Sequence, residues 1–478
     1  MLEFIDLAEY AVNYALKLGV KYVEARLQND IKHTYILKNG NPEAIGISRE
    51  KGISIRVLIN GGLGFSSVNV VNRDFIKDAV KTAVSMAKAS VKLLKKPIGL
   101  SEERIVEDEW EVKEKRPLES VSIEDKLEYL YNIDKIVSSE KEIGISIPMR
   151  VLELSEWFTE KYFVNSDGTR IKSKTPRIKF ICHLTAVDPE KGSEQEFIEK
   201  GGCGGWEIVE NWDLIDYMEN KAKTLGRIVR EGKTPPSGKL DVVLGSSIVG
   251  LAVHESTGHP YEADRILGRE AAQAGESFVK PNMIGYTIGS EIVNVVDDPT
   301  IEGSFGYYLY DDEGVKARRR YLIKNGVINE FLHNRETAYE FGVSSNAAAR
   351  ASSFDREPIV RMANTFMLAG DYTLEELVED IKIGVFMKTF GEWNIDDRRF
   401  NMRFIGRECY LVENGEIKNF IRRPILEITT PSFYKSIDAI SKNLAFDAAT
   451  CGKGDPPQGV PVWTGGPEIR LRNVRLLR

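Results

Sequence analysis

The sequence predicts an α+β fold, with a mixed N-terminal domain built on an antiparallel sheet followed by a β-rich C-terminal domain. Helical and strand-like stretches come in groups rather than in strict alternation, which disfavours a doubly wound parallel sheet. Asn-Gly pairs punctuate several β-rich runs, the mark of tight hairpins. GKTPPSGK, residues 232–239, combines two prolines and two glycines with little apolar content, so the chain is expected to divide into residues 1–232 and 233–478. A length of 478 residues suits two or three domains with a large core.

The elements follow in order. Residues 3–18 place Phe4, Leu7, Ala8, Ala11 and Leu16 broadly on one helical face. KYVEARL, HTYILKNG and ISIRVLI then read as short strands, with Asn60-Gly61 as a turn. A helix is expected from Arg73 to about Leu94, capped by Asn72, and the stretch 96–120 reads as charged and irregular. Ser122 followed by Asp125 resembles a capping box and opens a helix to about Ser138. Strands are expected at 145–155, 158–165 and 169–187, then a helix from about Trp212 to Arg230. Beyond the linker, YLIKNGVINEFL (321–332) and YLVENGEIKNFI (410–421) share one pattern. Both are read as Asn-Gly hairpins of one antiparallel sheet, with internal duplication as the alternative.

Composition excludes several classes. The chain is 42% hydrophobic and 29% charged, which is ordinary for a globular protein, and its net charge of -7 argues against a nucleic-acid surface. The N-terminus has no basic n-region followed by an apolar run, and no window approaches a membrane span. The four cysteines, Cys182, Cys203, Cys409 and Cys451, form no C-x-x-C pair. That usage suggests a reducing cytoplasm without a disulfide framework.

VHESTGHPYE, residues 253–262, holds two of the five histidines, His254 and His259, with Glu255 beside the first. LDVVLG (240–245) reads as a buried strand before them, and Ser246 or Ser247 as the cap of a short apolar helix. In an ideal helix five residues leave the two rings about 140° apart, so a regular helix cannot aim both at one ion. Two ways round this exist. Gly258 in the left-handed region could end the helix, with Pro260 pushing His259 toward an extended conformation. Alternatively, a π-bulge could absorb the extra residue. Isolated histidines are ordinarily packing residues, and His33, His183 and His333 lie in strand-like runs that suit that role. Catalytic zinc usually has three protein ligands and an open position. Among the thiols, Cys409 reads as buried and inert, and Cys203 (GGCGGW) as a loop thiol able to approach a site. Cys451 is the most suggestive, in a Gly/Pro-rich loop after a helical run.

HESTGHPYEADR, VVDD (295–298), YDDEGVKARRRYLIKNGVI (310–328), RMANTFM (361–367) and TCGKG (450–454) occur in this order. Together they resemble the TldD/PmbA family of metallopeptidases, strongly over the second half and more loosely over the first. With its HExxxH motif intact, the chain is similar to the TldD-type, catalytic members. That resemblance implies one Zn²⁺ per chain held by His254, His259 and Cys451, with Glu255 as catalytic base. Glu262 is implied to act beside a ligand, and Asp311, Asp312 and Glu313 to shape the cleft or orient ligands. Pro260 departs from the more flexible residue expected there. The resemblance also implies a cytoplasmic protein that cleaves unfolded or extended peptides. It would pair as a homodimer or with a PmbA/TldE-like subunit, without nucleic-acid or membrane partners.

Zinc in such a donor set lowers the pKa of a bound water toward about 7, and Glu255 is placed to take the proton and pass it to the leaving amine. An open sheet edge could bind an extended peptide through its main chain. Arg318-Arg319-Arg320 could hold a substrate carboxylate, although alternate arginines on a strand ordinarily face solvent. Two other functions remain open from the residues: a zinc amidase or deacylase, and a non-catalytic peptide-binding partner subunit, which the intact motif disfavours.

Overall fold

The computed structural model describes residues 4–139, 145–270 and 275–478. Strands Tyr22–Lys38, Asn41–Ile59 and Gly62–Val68 form an antiparallel meander. Its turns are Asn39-Gly40 and Asn60-Gly61, with φ of 51° and 75°, then 48° and 81°. Those positive angles at both turn positions are what a type I′ hairpin demands. The sheet continues through Ser146–Asn165, Arg170–Asp188 and Gly192–Cys203, all antiparallel. The runs expected as separate strands at 145–155 and 158–165 are one strand, as are KYVEARL and HTYILK, because each pairs with a long neighbour throughout. Glu107–Glu111, within the stretch read as irregular, adds in parallel to the start of Arg170–Asp188. Its sequence, EDEWE, has almost no strand signal, so only the open edge of its neighbour makes it a strand.

Strands this long carry two separate cores. Helices Phe4–Lys17 and Arg73–Ser90 cover one end, burying Val23, Ala25, Leu27, Ile53 and Val57. Asn72 caps the second helix, accepting from the backbone N–H groups of Asp74 and Phe75 at 3.1 Å. Helices Ile123–Ser139 and Leu214–Glu231 cover the other end, over Leu37, Leu152, Phe180 and Leu184. Ser122 accepts from the Asp125 N–H at 3.0 Å, as the capping pattern predicts. The expected helix from Trp212 is two, Glu207–Trp212 and Leu214–Glu231, broken at Asp213 with φ 46°.

The second half is two large sheets around one large core, with a separate two-stranded ribbon of Ala349–Arg350 and Ile359–Val360. The larger sheet runs Phe390–Ile395, Asn401–Gly406, Ile425–Thr429, Ile469–Leu477, Gly238–Leu244, Ile383–Met387, Cys409–Glu413 and Glu416–Ile421. The smaller runs Val327–Ile328, Arg320–Lys324, Val295–Asp297, Asn364–Met367, Gln458–Gly466 and Ala445–Lys453. The two Asn-Gly pairs expected as hairpins, Asn325-Gly326 and Asn414-Gly415, have positive φ and close hairpins as expected. They belong to different sheets rather than one, since each strand finds its own neighbours far away in the chain.

His333 lies in the second half, buried against Phe331 and Phe341, with Nδ1 3.2 Å from the Thr337 hydroxyl. Burial pulls its pKa from 6.5 down to about 4, against the opposing pull of Glu330. The unfolded chain takes up this proton near pH 6.5 and the folded chain only near pH 4. Stability is therefore complete above that window and falls as pH drops through it, by on the order of 3 kcal/mol. Urea denaturation between these limits should show a shallower pH slope for His333→Gln than for wild type; equal slopes would assign the dependence elsewhere.

Candidate metal centre

Strand Gly238–Leu244 delivers the chain into helix Ser246–Val253, whose flanking Gly245 serves as the cap instead of Ser246 or Ser247. The helix lies against strand Gln458–Gly466 at backbone contact. A Cβ on Gly250 would stand 2.7 Å from the Gly465 nitrogen. Backbone cannot yield as a side chain does, so Gly250→Ala is expected to cost about 1–3 kcal/mol. Thermal denaturation checks this; an unchanged midpoint would mean that the helix is free to shift.

At His254 the helix widens. His254–Gly258 is a π-helical turn closed by the His259 N–H donating to the His254 carbonyl, and a short 3₁₀ turn, His259–Tyr261, follows. The extra residue is taken up inside the turn, as a π-bulge does. The rings of His254 and His259 come to 5.0 Å between centroids, with planes at 81°. The other expected route, a helix break, does not occur. Gly258 (φ -54°, ψ -68°) and His259 (φ -60°, ψ -46°) are both right-handed. Gly258 serves close approach instead: a Cβ there would lie 1.8 Å from the Met362 sulfur. Pro260 falls in the first turn of the 3₁₀ segment, where its missing N–H costs nothing. Tyr434 buttresses the turn, its hydroxyl 2.8 Å from that of Ser256.

Cys451 arrives from the other end of the chain. It sits within strand Ala445–Lys453, opposite Val460, rather than in the loop expected from its Gly/Pro-rich surroundings. Its sulfur is 3.4 Å from His259 Nε2. One ligand atom from each of His254, His259 and Cys451 lies within 4.8 Å of the others, and all three residues are buried. Among the described residues this is the one such group of three. Burial would raise the Cys451 thiol, but the positive charges of His259 and Arg361 outweigh it and hold the thiol well below its ordinary value. Burial likewise opposes a charged His259, yet Cys451 and Glu262 hold its pKa up to about 9.

Glu262 is fully buried, with Oε2 3.0 Å from His259 Nδ1. Burial would raise its pKa, but Lys453 and His259 outweigh that and hold it well below the carboxylate range. A ligating histidine ordinarily donates its second ring N–H to such a carboxylate. Nδ1 of His254 is buried with no hydrogen-bond partner among the described residues. Two imidazoles, that of His254 with its Nδ1 orphaned, and a thiolate fit three positions of a tetrahedral zinc site.

Glu255, next in the chain, lines the same cleft of about 540 Å³ and pairs with Arg399. Sequence reasoning missed Arg399, which lies in the link between strands Phe390–Ile395 and Asn401–Gly406 and carries no local motif. The cleft opens between the two halves, with Phe197, Glu199, Tyr217 and Lys221 from the first facing Trp393 and Arg399 from the second.

Other candidates are elsewhere. Cys203 is buried at a strand end, and Cys409 is buried in a strand. His33 rests on Glu156 and Phe158, and His183 on Phe197. Asp311, Asp312 and Glu313 do not line this cleft. Glu313 pairs with Arg56, and Asp312 with Lys161 at 2.7 Å and Arg26 at 3.3 Å, all from the N-terminal sheet. Asp311 accepts from the N–H groups of Glu313, Val315 and Ala349. Asp312 and Glu313 thus fasten the first half to the second, while Asp311 braces their own loop. Arg320 is fully buried on Asp297, while Arg318 and Arg319 are half-exposed and pair with Glu330 and Asp298, so no run of free arginines faces a substrate.

Three family models match in succession: PmbA/TldA metallopeptidase domain 1 over residues 23–87, the central domain over 116–232 and the C-terminal domain over 237–477. The chain belongs to the PmbA/TldA metallopeptidase family. It is 33% identical to a metalloprotease of Methanocaldococcus jannaschii, over 94% of this chain and 95% of that protein. It is 26% identical to a zinc metalloprotease TldD homolog of Saccharolobus solfataricus, over 97% and 98% of the two chains. The fold is shared with TldE from Thermococcus kodakarensis, with a TM-score of 0.75 at 16% identity over 99% of this chain and 100% of that one. Members of the PmbA/TldA family thus include this chain's α+β architecture, and its relatives carry the name metalloprotease.

Proposed function

We propose that this chain is a zinc-dependent peptidase acting on unstructured peptides, with one zinc held by His254, His259 and Cys451 and with Glu255 as general base. The observation that carries this reading is the convergence of the three ligand atoms within 4.8 Å, at the wall of a cleft that also holds Glu255. When bound, zinc supplies an activated water and polarises the scissile carbonyl. The protein's own groups do the rest. Glu262 fixes the His259 ring, and Glu255 takes a proton at its carboxylate and returns it to the leaving nitrogen. Arg399, on the Glu255 carboxylate, holds that group in place before substrate arrives.

Extended peptides suit the cleft walls. Among the described residues, Gly192–Cys203, Phe390–Ile395 and Ala445–Lys453 each pair with one neighbouring strand only, and residues from all three line the cleft. Such edges bind a main chain largely independently of its sequence. We take 1–232 and 233–478, divided at the GKTPPSGK stretch, as the working domains, with the cleft shared between them. A homodimer or a heterodimer with a PmbA/TldE-like chain is the proposed assembly, in the cytoplasm. No described helix is long and apolar enough to cross a membrane.

Incubation of an unfolded peptide mixture with zinc-loaded protein, followed by mass spectrometry, tests the reading. Cleavage that disappears on chelation is the expected result. Intact peptides from the zinc-loaded chain, alone and with a TldE-like partner supplied, would sink it.

A further inference from the structure

The TCGKG segment brings more to the centre than its cysteine. Cys451 and Lys453 stand two apart on strand Ala445–Lys453, so both side chains leave the same face and both are buried. The intervening Gly452 is exposed and borders the cleft, with open space where a Cβ would be. The Lys453 side chain is 1% exposed. Its ammonium reaches Glu262 Oε2 at 3.2 Å, both oxygens of Asp264 at 2.7 and 2.9 Å and the Val360 carbonyl at 2.8 Å. Burying an ammonium this completely is costly unless paired, and here its partners are carboxylates of the segment that follows His259.

The geometry points to Lys453 as a positioning residue for the metal: it pins Glu262 beside His259 Nδ1 and so directs Nε2 of that ring at the Cys451 sulfur. The chain of contacts is short. Lys453 holds Glu262, Glu262 accepts from His259 Nδ1 at 3.0 Å, and His259 Nε2 lies 3.4 Å from Cys451. One strand therefore delivers a ligand and the cation that orients the opposing ligand. The spacing C-G-K follows: inward, outward, inward. Arg265 also touches Glu262, at 3.4 Å, but it comes from the same segment as His259 and cannot tie that segment to the strand.

This inference rests on the metal reading of the site and is tested by metal affinity rather than by turnover. Zn²⁺ would be titrated into metal-free protein against a chromophoric chelator, with Co²⁺ absorption reporting the thiolate contact. Wild type, Lys453→Met, Lys453→Arg, Glu262→Gln and the double variant Lys453→Met/Glu262→Gln would be compared, with circular dichroism to confirm folding. Lys453→Met is expected to weaken Zn²⁺ binding about 10–100-fold, the usual effect of losing a group that orients a ligand. Lys453→Arg should recover part of the loss. In the Glu262→Gln background, Lys453→Met should weaken binding little further, because both act through one contact. The double variant also removes Glu262, the fully buried carboxylate among those that lose the ammonium, Asp264 being partly exposed, so it keeps the comparison valid if Lys453→Met alone folds poorly. Wild-type affinity in Lys453→Met, or effects of the two substitutions that multiply independently, would overturn the role of Lys453 and leave the metal site standing. A wild-type protein that binds neither ion would overturn both.

Discussion

Glu255→Gln keeps its zinc and loses peptide hydrolysis by about 10²–10⁴-fold, the usual contribution of a positioned general base. The substitution is nearly isosteric, and its amide oxygen can still accept from Arg399, so the surrounding cleft is expected to be undisturbed. The neighbouring His254 contributes its ring, not its backbone, to the ligand group, so metal content should stay at the wild-type level. Peptide cleavage and zinc content measured on the same preparation separate the two effects. Full hydrolysis by the variant would remove Glu255 from the mechanism. Loss of zinc with loss of activity would give it a structural role instead.

Cys451→Ala is expected to abolish stable zinc binding, a larger effect than the roughly 10–100-fold that follows removal of a ligand's neighbour. The substitution takes away the one thiolate of the ligand group and leaves His254 and His259 with no third protein donor among the described residues. Cys203→Ala serves as the control. Cys203 is buried between Arg177 and Gly303, away from the three ligand atoms, and its loss should leave metal content unchanged. Zinc quantification after dialysis decides between them. Equal zinc in both variants and wild type would mean that Cys451 is not a ligand, and the proposed coordination would have to be abandoned.

Much of the backbone was legible in advance because its signals are local. Asn39-Gly40, Asn60-Gly61, Asn325-Gly326 and Asn414-Gly415 all adopt the positive angles that only such pairs take readily. Asn72 and Ser122 cap helices because their side chains reach N–H groups two or three residues on. EDEWE at 107–111 was illegible: its hydrogen bonds are made to a strand more than sixty residues away, and nothing in its own composition asks for them. Arg399 was illegible for the same reason. Its relevance comes from a hydrogen bond to a residue 144 positions earlier in the chain.

By itself the sequence determined the chemical inventory of the centre: two imidazoles five residues apart, a carboxylate between them and a thiol in a glycine-rich motif near the end. It also determined that a regular helix could not serve both histidines. Tertiary structure decided how that conflict is resolved. Backbone preference around Gly258 and Pro260 allowed a helix break, but packing on Met362 and Tyr434 holds a π-turn instead. Tertiary structure also decided that Cys451, 192 residues from His259, is the thiol that arrives, because only sheet register sets which strand passes the turn. And it gave Asp312 and Glu313 to the contact between the two halves. A carboxylate's charge is written in the sequence, whereas the arginine or lysine that it meets is chosen by the fold.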